Sequence, residues 1–291
     1  MLPTLIADTL EQFFGQRDWQ VTPLRGGDIN RAVRLDRGTD ALFLKWNEEA
    51  PEGLFAAEAE GLNALRRTGA IRVPEVVYVS ESPAFLLMEY LPEVGIRNSG
   101  EFTAAFAQGL ASLHRAAPDE PRFGFPTDNF LGVIPQRNQP RTADWVTFYR
   151  ENRLLPEIER AKERNRLPLY RETMLRTLID RLPNLMEGIP QEVSLLHGDL
   201  WSGNFLCLSG DVPALIDPAV YYGSRELEWA FIELFGGFPA GLRDAYQEAF
   251  PLDAGYSYRR SLHQLYYLLI HLNHFGETYG PPVERACREY L

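Results

Sequence analysis

Three polar residues within one short stretch have the types and spacing that phosphoryl transfer requires. The run Leu196-His197-Gly198-Asp199-Leu200-Trp201-Ser202-Gly203-Asn204 is followed by Ala214-Leu215-Ile216-Asp217-Pro218, so Asn204 lies 5 residues after Asp199 and Asp217 lies 13 after Asn204. A carboxylate at Asp199 can accept the proton of an attacking hydroxyl or orient that hydroxyl for in-line attack. The amide oxygen of Asn204 and the carboxylate of Asp217 are hard oxygen donors of the kind Mg²⁺ takes beside phosphate oxygens. His197 reads as a buttress of the loop backbone rather than as the base.

A nucleotide needs further groups, and they occur upstream in the right order. Lys45 sits inside the apolar strand-like run Ala41-Leu42-Phe43-Leu44-Lys45-Trp46, where a lysine needs a partner. Glu58, in the helical segment that follows, can supply it, and such a pair orients the α- and β-phosphates of ATP. Glu60 is the alternative partner, but at two positions away it lies off that helix face. The turn containing Gly26, Gly27 and Asp28 lets backbone N–H groups approach phosphate oxygens closely. Taken alone it would read as a plain hairpin turn, because short glycine motifs carry little information. The run Phe85-Leu86-Leu87-Met88-Glu89-Tyr90-Leu91 can hold adenine. The Glu89 carbonyl would meet the exocyclic amine, the Leu91 N–H a ring nitrogen, and Met88 would wall the pocket.

The elements that must position these groups follow from periodicity. Residues 4–14 read as a short amphipathic helix, 19–46 as strands, 53–67 as a helix, and 73–79 and 84–90 as two further strands. After Leu91-Pro92 the texture becomes helical, with helices expected over 101–116, 142–163, 169–187, 225–235, 240–249 and 257–279. Residues 118–141, rich in Pro, Asn and Gly, read as irregular. The expectation is an α+β, bilobal, protein-kinase-like fold. An antiparallel nucleotide-binding lobe over 1–90 precedes a mainly helical catalytic and substrate-binding lobe over 91–291.

Bulk properties narrow the class. A net charge of −11 argues against a general nucleic-acid binder. No apolar run approaches the ~20 residues of a membrane span, and the N-terminus lacks the basic and apolar regions of a signal peptide, so the cytoplasm is the expected location. The two cysteines, Cys207 and Cys287, form no metal or disulfide pattern. His114 reads as a satisfied structural histidine. His271 and His274 lack a third ligand in any zinc pattern.

With these residues in hand, the chain resembles the fructosamine kinase family, within the aminoglycoside-phosphotransferase and choline-kinase group. The resemblance runs from about residue 20 to 279. Its most specific piece is His197-Gly198-Asp199-Leu200-Trp201-Ser202-Gly203-Asn204, reinforced by Asp217-Pro218-Ala219-Val220-Tyr221-Tyr222-Gly223 and Glu233-Leu234-Phe235-Gly236-Gly237-Phe238. Phe123-Gly124-Phe125, Asp128-Asn129, Gln136, Asn138, Trp145 and Phe148 resemble a segment that simpler small-molecule kinases lack. The resemblance implies ATP- and Mg²⁺-dependent phosphorylation of the sugar 3-hydroxyl of ketosamines, either small molecules or glycated protein lysines, leading to deglycation. Trp201 would offer the sugar a flat face. Tyr221 and Tyr222 would line the same cleft, and Glu226 would join Asp199 and Asp217 in attracting the cationic amine. The chain departs from the family in having Ser224 where many members have His. It has Asp28 where some have Cys, and Glu228, one methylene longer, where many have the Asp that tethers the catalytic loop.

Two other readings compete. A kinase for an aminoglycoside or a choline-like alcohol would use the same chemistry, but Trp201 and the 123–148 segment speak against it. A non-catalytic kinase fold predicts loss of Lys45, Asp199, Asn204 or Asp217, and all four are present. Oligomeric state is open, with a monomer as the default.

Overall fold

The computed structural model describes residues 2–15, 18–24, 30–94, 99–116 and 118–291. Gly26, Gly27 and Asp28, read above as a phosphate loop, lie outside the described residues.

The first part of the chain is a five-stranded antiparallel sheet. Strands β1 (Gln20–Pro23), β2 (Arg31–Arg37), β3 (Asp40–Trp46), β4 (Val76–Glu81) and β5 (Ala84–Glu89) take the order β1-β2-β3-β5-β4. Helix α1 (Thr4–Phe14) covers one face, burying Ile6 and Leu10 against Val33, Leu35, Leu44, Trp46, Phe85 and Leu87. Helix α2 (Leu54–Thr68) and the rest of the protein cover the other, which carries Leu86 and Met88. Because side chains alternate along a strand, β3 sends Leu44 and Trp46 to the α1 side, leaving Phe43 and Lys45 for the opposite face.

The remainder is mainly helical. Helices α3 (Gly100–Arg115), α4 (Trp145–Phe148), α5 (Leu155–Glu163), α6 (Leu169–Leu185), α7 (Arg225–Phe235), α8 (Leu242–Ala249), α9 (Tyr256–Phe275) and α10 (Gly280–Arg288) share one apolar core. Ser99 caps α3, accepting from the Phe102 N–H at 3.0 Å. The helix expected over 142–163 is not uniform: α4 and α5 are joined by a π-helical stretch, Tyr149–Leu154. The segment read as irregular over 118–141 contains a hairpin, β6 (Asn129–Leu131) with β7 (Ile134–Gln136). Three-residue strands are too short for alternation to reveal. Among the described residues no helix is long and apolar enough to cross a membrane.

Candidate active site

Local strand pairing explains the 5 and 13 spacing. Strand β8 (Ser194–Leu196) delivers His197, Gly198 and Asp199 from its end. Asn204 directly precedes β9 (Phe205–Leu208), which pairs antiparallel with β10 (Val212–Leu215), Phe205 opposite Leu215. The open end of that hairpin therefore brings Asn204 beside the residues after β10, and the Ile216 N–H donates to the Asn204 carbonyl at 3.1 Å. The Asn204 amide nitrogen donates to the Asp199 carbonyl (2.8 Å), Asp199 Oδ2 (3.2 Å) and the Asp217 carbonyl (3.3 Å). These bonds engage the amide nitrogen, so the amide oxygen is the atom that could serve a cation. Backbone contact locks the two loops together. The Ala219 N–H donates to the His197 carbonyl at 2.9 Å, and a Cβ on Gly198, at φ +85°, would lie 2.0 Å from the Ala219 oxygen. Only glycine fits there.

Lys45 enters from β3. Its Nζ lies 2.6 Å from Glu58 Oε1 on α2 and 2.7 Å from Asp217 Oδ1. Burial opposes the charge on Lys45, but Asp217 and Glu58 outweigh it and raise the lysine pKa above its ordinary value. Burial pushes the Glu58 carboxyl upward, against the pull of Lys45. Burial first, and then the charge of Asp217, push Asp199 up to about 8. His197 is fully buried and donates from Nε2 to the Ile216 carbonyl at 2.8 Å; burial lowers its pKa. It braces the loop as a neutral ring.

These groups open into a cavity of about 450 Å³, whose lining includes Lys45, Glu58, Asp199, Trp201, Asn204 and Asp217. Trp201 is 45% exposed, with its ring folded against Gly203, where a Cβ would come within 2.3 Å of it. The other walls come from the β6–β7 hairpin (Phe130, Leu131, Ile134), α7 (Phe231, Phe235) and α9 (Ile270, His271, His274, Phe275). The donors available to a cation, one carboxylate and one amide oxygen beside a buried lysine, fit Mg²⁺ carried with a polyphosphate.

The profile of the fructosamine kinase family matches residues 2–291. The chain belongs to the fructosamine kinase family. It is 40% identical over 273 residues to a probable ketoamine kinase of Enterococcus faecium, covering 93% of this chain and 95% of that one. It is 34% identical over 270 residues to the chloroplastic protein-ribulosamine 3-kinase of Arabidopsis thaliana, covering 91% and 81%. Among solved structures it superposes on a "putative fructosamine-3-kinase" from Thermobifida fusca with a TM-score of 0.87 and 33% identity, covering 98% and 97%. An aminoglycoside phosphotransferase, APH(4)-Ia, shares the fold alone, at TM-score 0.65 and 19% identity.

Of the four residues expected to meet the acceptor in this fructosamine kinase family member, three, unlike Trp201, do not line the cavity. Glu226 is 3% exposed and binds Arg259 of α9 through two contacts, 2.6 and 2.9 Å. Its charge is spent inside the helical core. Tyr221 and Tyr222 are neighbours on β11 (Tyr221–Gly223), so they face opposite sides and cannot both line one cleft. Tyr221 is fully buried under the Arg153 guanidinium, 3.9 Å from its ring. Tyr222 exchanges backbone hydrogen bonds with Gly124 and packs near Phe125. Met88 is buried in the core, and the Glu89 carboxylate pairs with Arg72. Neither these two nor Leu91 lines the cavity.

The departure at Glu228 keeps the tether. Its Oε1 accepts from the Gly198 N–H at 2.7 Å, and its Oε2 lies 2.9 Å from His114 Nε2, which shares the buried cluster with Tyr246. Burial raises the Glu228 pKa, but His114, His197 and the Gly198 amide outweigh it and leave it lowered. The aromatic wall from α7 and α9 went unread in the sequence. Its available signal was the helical spacing of Phe231 with Phe235, and of Ile270 and His271 with His274 and Phe275.

Proposed function

We propose that this protein is an ATP-dependent kinase that phosphorylates the 3-hydroxyl of ketosamines. The observation that carries the reading is the convergence of Asp199, Asn204, Asp217 and the Lys45–Glu58 pair on one cavity, in a chain matched by its family along nearly its whole length. The relatives described as ketoamine and ribulosamine kinases supply the acceptor class.

In this reading Asp199 accepts the proton of the sugar hydroxyl as its oxygen attacks the γ-phosphorus in line; the bond from that phosphorus to the β,γ-bridging oxygen breaks and ADP leaves. Lys45, held by Glu58, binds the α- and β-phosphate oxygens. Asn204 Oδ1 and the Asp217 carboxylate would hold Mg²⁺, which would supply positive charge against the phosphates. Trp201 gives the sugar ring an apolar face, and the rings of α7 and α9 exclude water from the opposite wall. The backbone Glu89 carbonyl and Leu91 N–H, at the end of β5 beyond the cavity, would pair with adenine, and Gly26, Gly27 and Asp28 are the residues proposed to meet the phosphates. Since Glu226 is paired in the core, the acceptor's cationic nitrogen is attracted by Asp199, Asp217 and the electron-rich ring faces of the cleft.

The test is to incubate the protein with Mg·ATP and ribulose-lysine, fructose-lysine, choline or an aminoglycoside, and to look for added phosphate by mass spectrometry. Phosphate on a ketosamine alone supports the reading and ranks the sugars. Phosphate only on choline or the aminoglycoside rejects it.

A further inference from the structure

The β6–β7 hairpin is joined to the turn after Asp217 by two buried side-chain amides. Gln136, 3% exposed, donates from Nε2 to the Ala219 carbonyl at 3.1 Å and to Asn129 Oδ1 at 2.8 Å. Asn129, 5% exposed, donates from Nδ2 to the Val220 carbonyl at 2.8 Å. On the far side the Tyr266 hydroxyl of α9 donates to Gln136 Oε1 at 2.8 Å, which fixes the direction the amide faces. Both hydrogens of the Gln136 amide and its oxygen are thereby used.

The next residues are held as well. The Arg153 guanidinium donates to the Arg137 carbonyl and to Asn138 Oδ1, the latter at 2.8 Å, while lying over the Tyr221 ring. The hairpin base is therefore fastened along Ala219, Val220 and Tyr221. The turn it grips contains Asp217 at φ +53°, a left-handed conformation uncommon for a non-glycine residue, although Asp tolerates it better than most.

We propose that Gln136 is a positioning residue for the Mg·nucleotide site. By holding the Ala219 and Val220 carbonyls, directly and through Asn129, it keeps Asp217 in the backbone conformation that aims its carboxylate at Lys45. Removing the amide leaves the Ala219 carbonyl, Asn129 Oδ1 and the Tyr266 hydroxyl without that partner in a dry interior. The turn must shift to satisfy them, and Asp217 shifts with it. Gln136 does not itself line the cavity, so a purely local reading of the site would miss it. The proposal rests on the reading of Asp217 as a Mg²⁺ ligand.

The test is calorimetric titration of ADP into the wild type, Gln136→Met and Tyr266→Phe, with Mg²⁺ and again with EDTA. For Gln136→Met, the ADP dissociation constant in Mg²⁺ should rise about 10- to 100-fold, while that in EDTA stays within about twofold of wild type. Tyr266→Phe, which frees the amide without removing it, should show a smaller loss of the same Mg²⁺-dependent kind. A full Mg²⁺ gain in Gln136→Met overturns the proposal, as does an equal loss with and without Mg²⁺. If Gln136→Met fails to fold, an undiminished Mg²⁺ gain in Tyr266→Phe overturns it. A wild type that binds ADP no better with Mg²⁺ than without would instead reject the ligand role of Asp217.

Discussion

In the proposed mechanism Asp199 takes up a proton near neutral pH while standing beside a second carboxylate. Burial and the charge of Asp217 push it up to about 8, so below that pH it holds a proton and cannot accept another. Turnover should therefore climb with pH through an acid limb. A cation on Asp217 offsets the second of these causes, so saturating Mg²⁺ should move the limb to lower pH than limiting Mg²⁺ does. Rate profiles at two Mg²⁺ concentrations would check this; a midpoint indifferent to Mg²⁺ would mean that Asp199 does not feel the Asp217 charge. Replacing Asp199 by Ala should cut turnover about 10²- to 10⁴-fold and leave Mg·ADP binding near wild type. Retention of most of the turnover would move the base elsewhere. These residues were legible in the sequence because strand ends and a tight hairpin bring near neighbours together.

At the scale of the element, α7 shows how one helix serves two regions. Glu226 and Glu228 are two positions apart and so point in different directions. Glu226 goes to Arg259 on α9, and Glu228 to the Gly198 N–H and His114. Cutting Glu226 to Ala removes two of the carboxylate contacts of the buried Arg259 and leaves it the Asp253 carboxylate at 2.6 Å, which should cost about 1.5–3 kcal/mol of stability. The same change should leave the acceptor KM near wild type. Urea unfolding and steady-state kinetics on this variant would settle where the residue acts: a raised KM with unchanged stability would put it back in the cleft. For Glu228→Ala, the lost bonds to Gly198 and His114 predict a destabilisation of about 3 kcal/mol together with a fall in turnover. A variant as stable and active as wild type would show that the tether is idle. The helix itself was readable from its sequence. Its facing was not, because Leu227, Trp229, Ala230, Phe231 and Ile232 are all buried, and a helix apolar all round gives no direction.

For the whole molecule, the packed helical core imposes a pH dependence on folding. His263 of α9 is fully buried against the Trp145 and Tyr149 rings, and burial, with Arg259 nearby, pushes it down to about 3. The unfolded chain titrates this ring near 6.5, so between 6.5 and about 3 the unfolded state holds more protons. Stability must then fall as pH drops through that window, by about 1.4 kcal/mol per pH unit for one such group. In His263→Gln, whose amide oxygen can still accept from Trp145, the stability lost between pH 6.5 and about 5 should shrink by about 2 kcal/mol. Equal losses in variant and wild type would place the acid sensitivity in other groups.

The sequence by itself determined the order of the reactive groups, the sheet-then-helix organisation, and the strand alternation that turns Lys45 away from Leu44 and Trp46. Each of these is carried by residues close together in the chain, where period and spacing suffice. Only the tertiary structure decided which buried charges serve the cleft and which serve the core. Glu226 lies 33 residues from Arg259, Gln136 lies 130 from Tyr266, and Lys45 lies 172 from Asp217. Such pairs form because a buried charge or amide must find a partner wherever packing delivers one. A carboxylate that looks available in the sequence, as Glu226 does, is claimed by the nearest buried guanidinium. The hairpin over 129–136 had no periodicity to announce it, and its amides became meaningful only once the Asp217 turn lay against them.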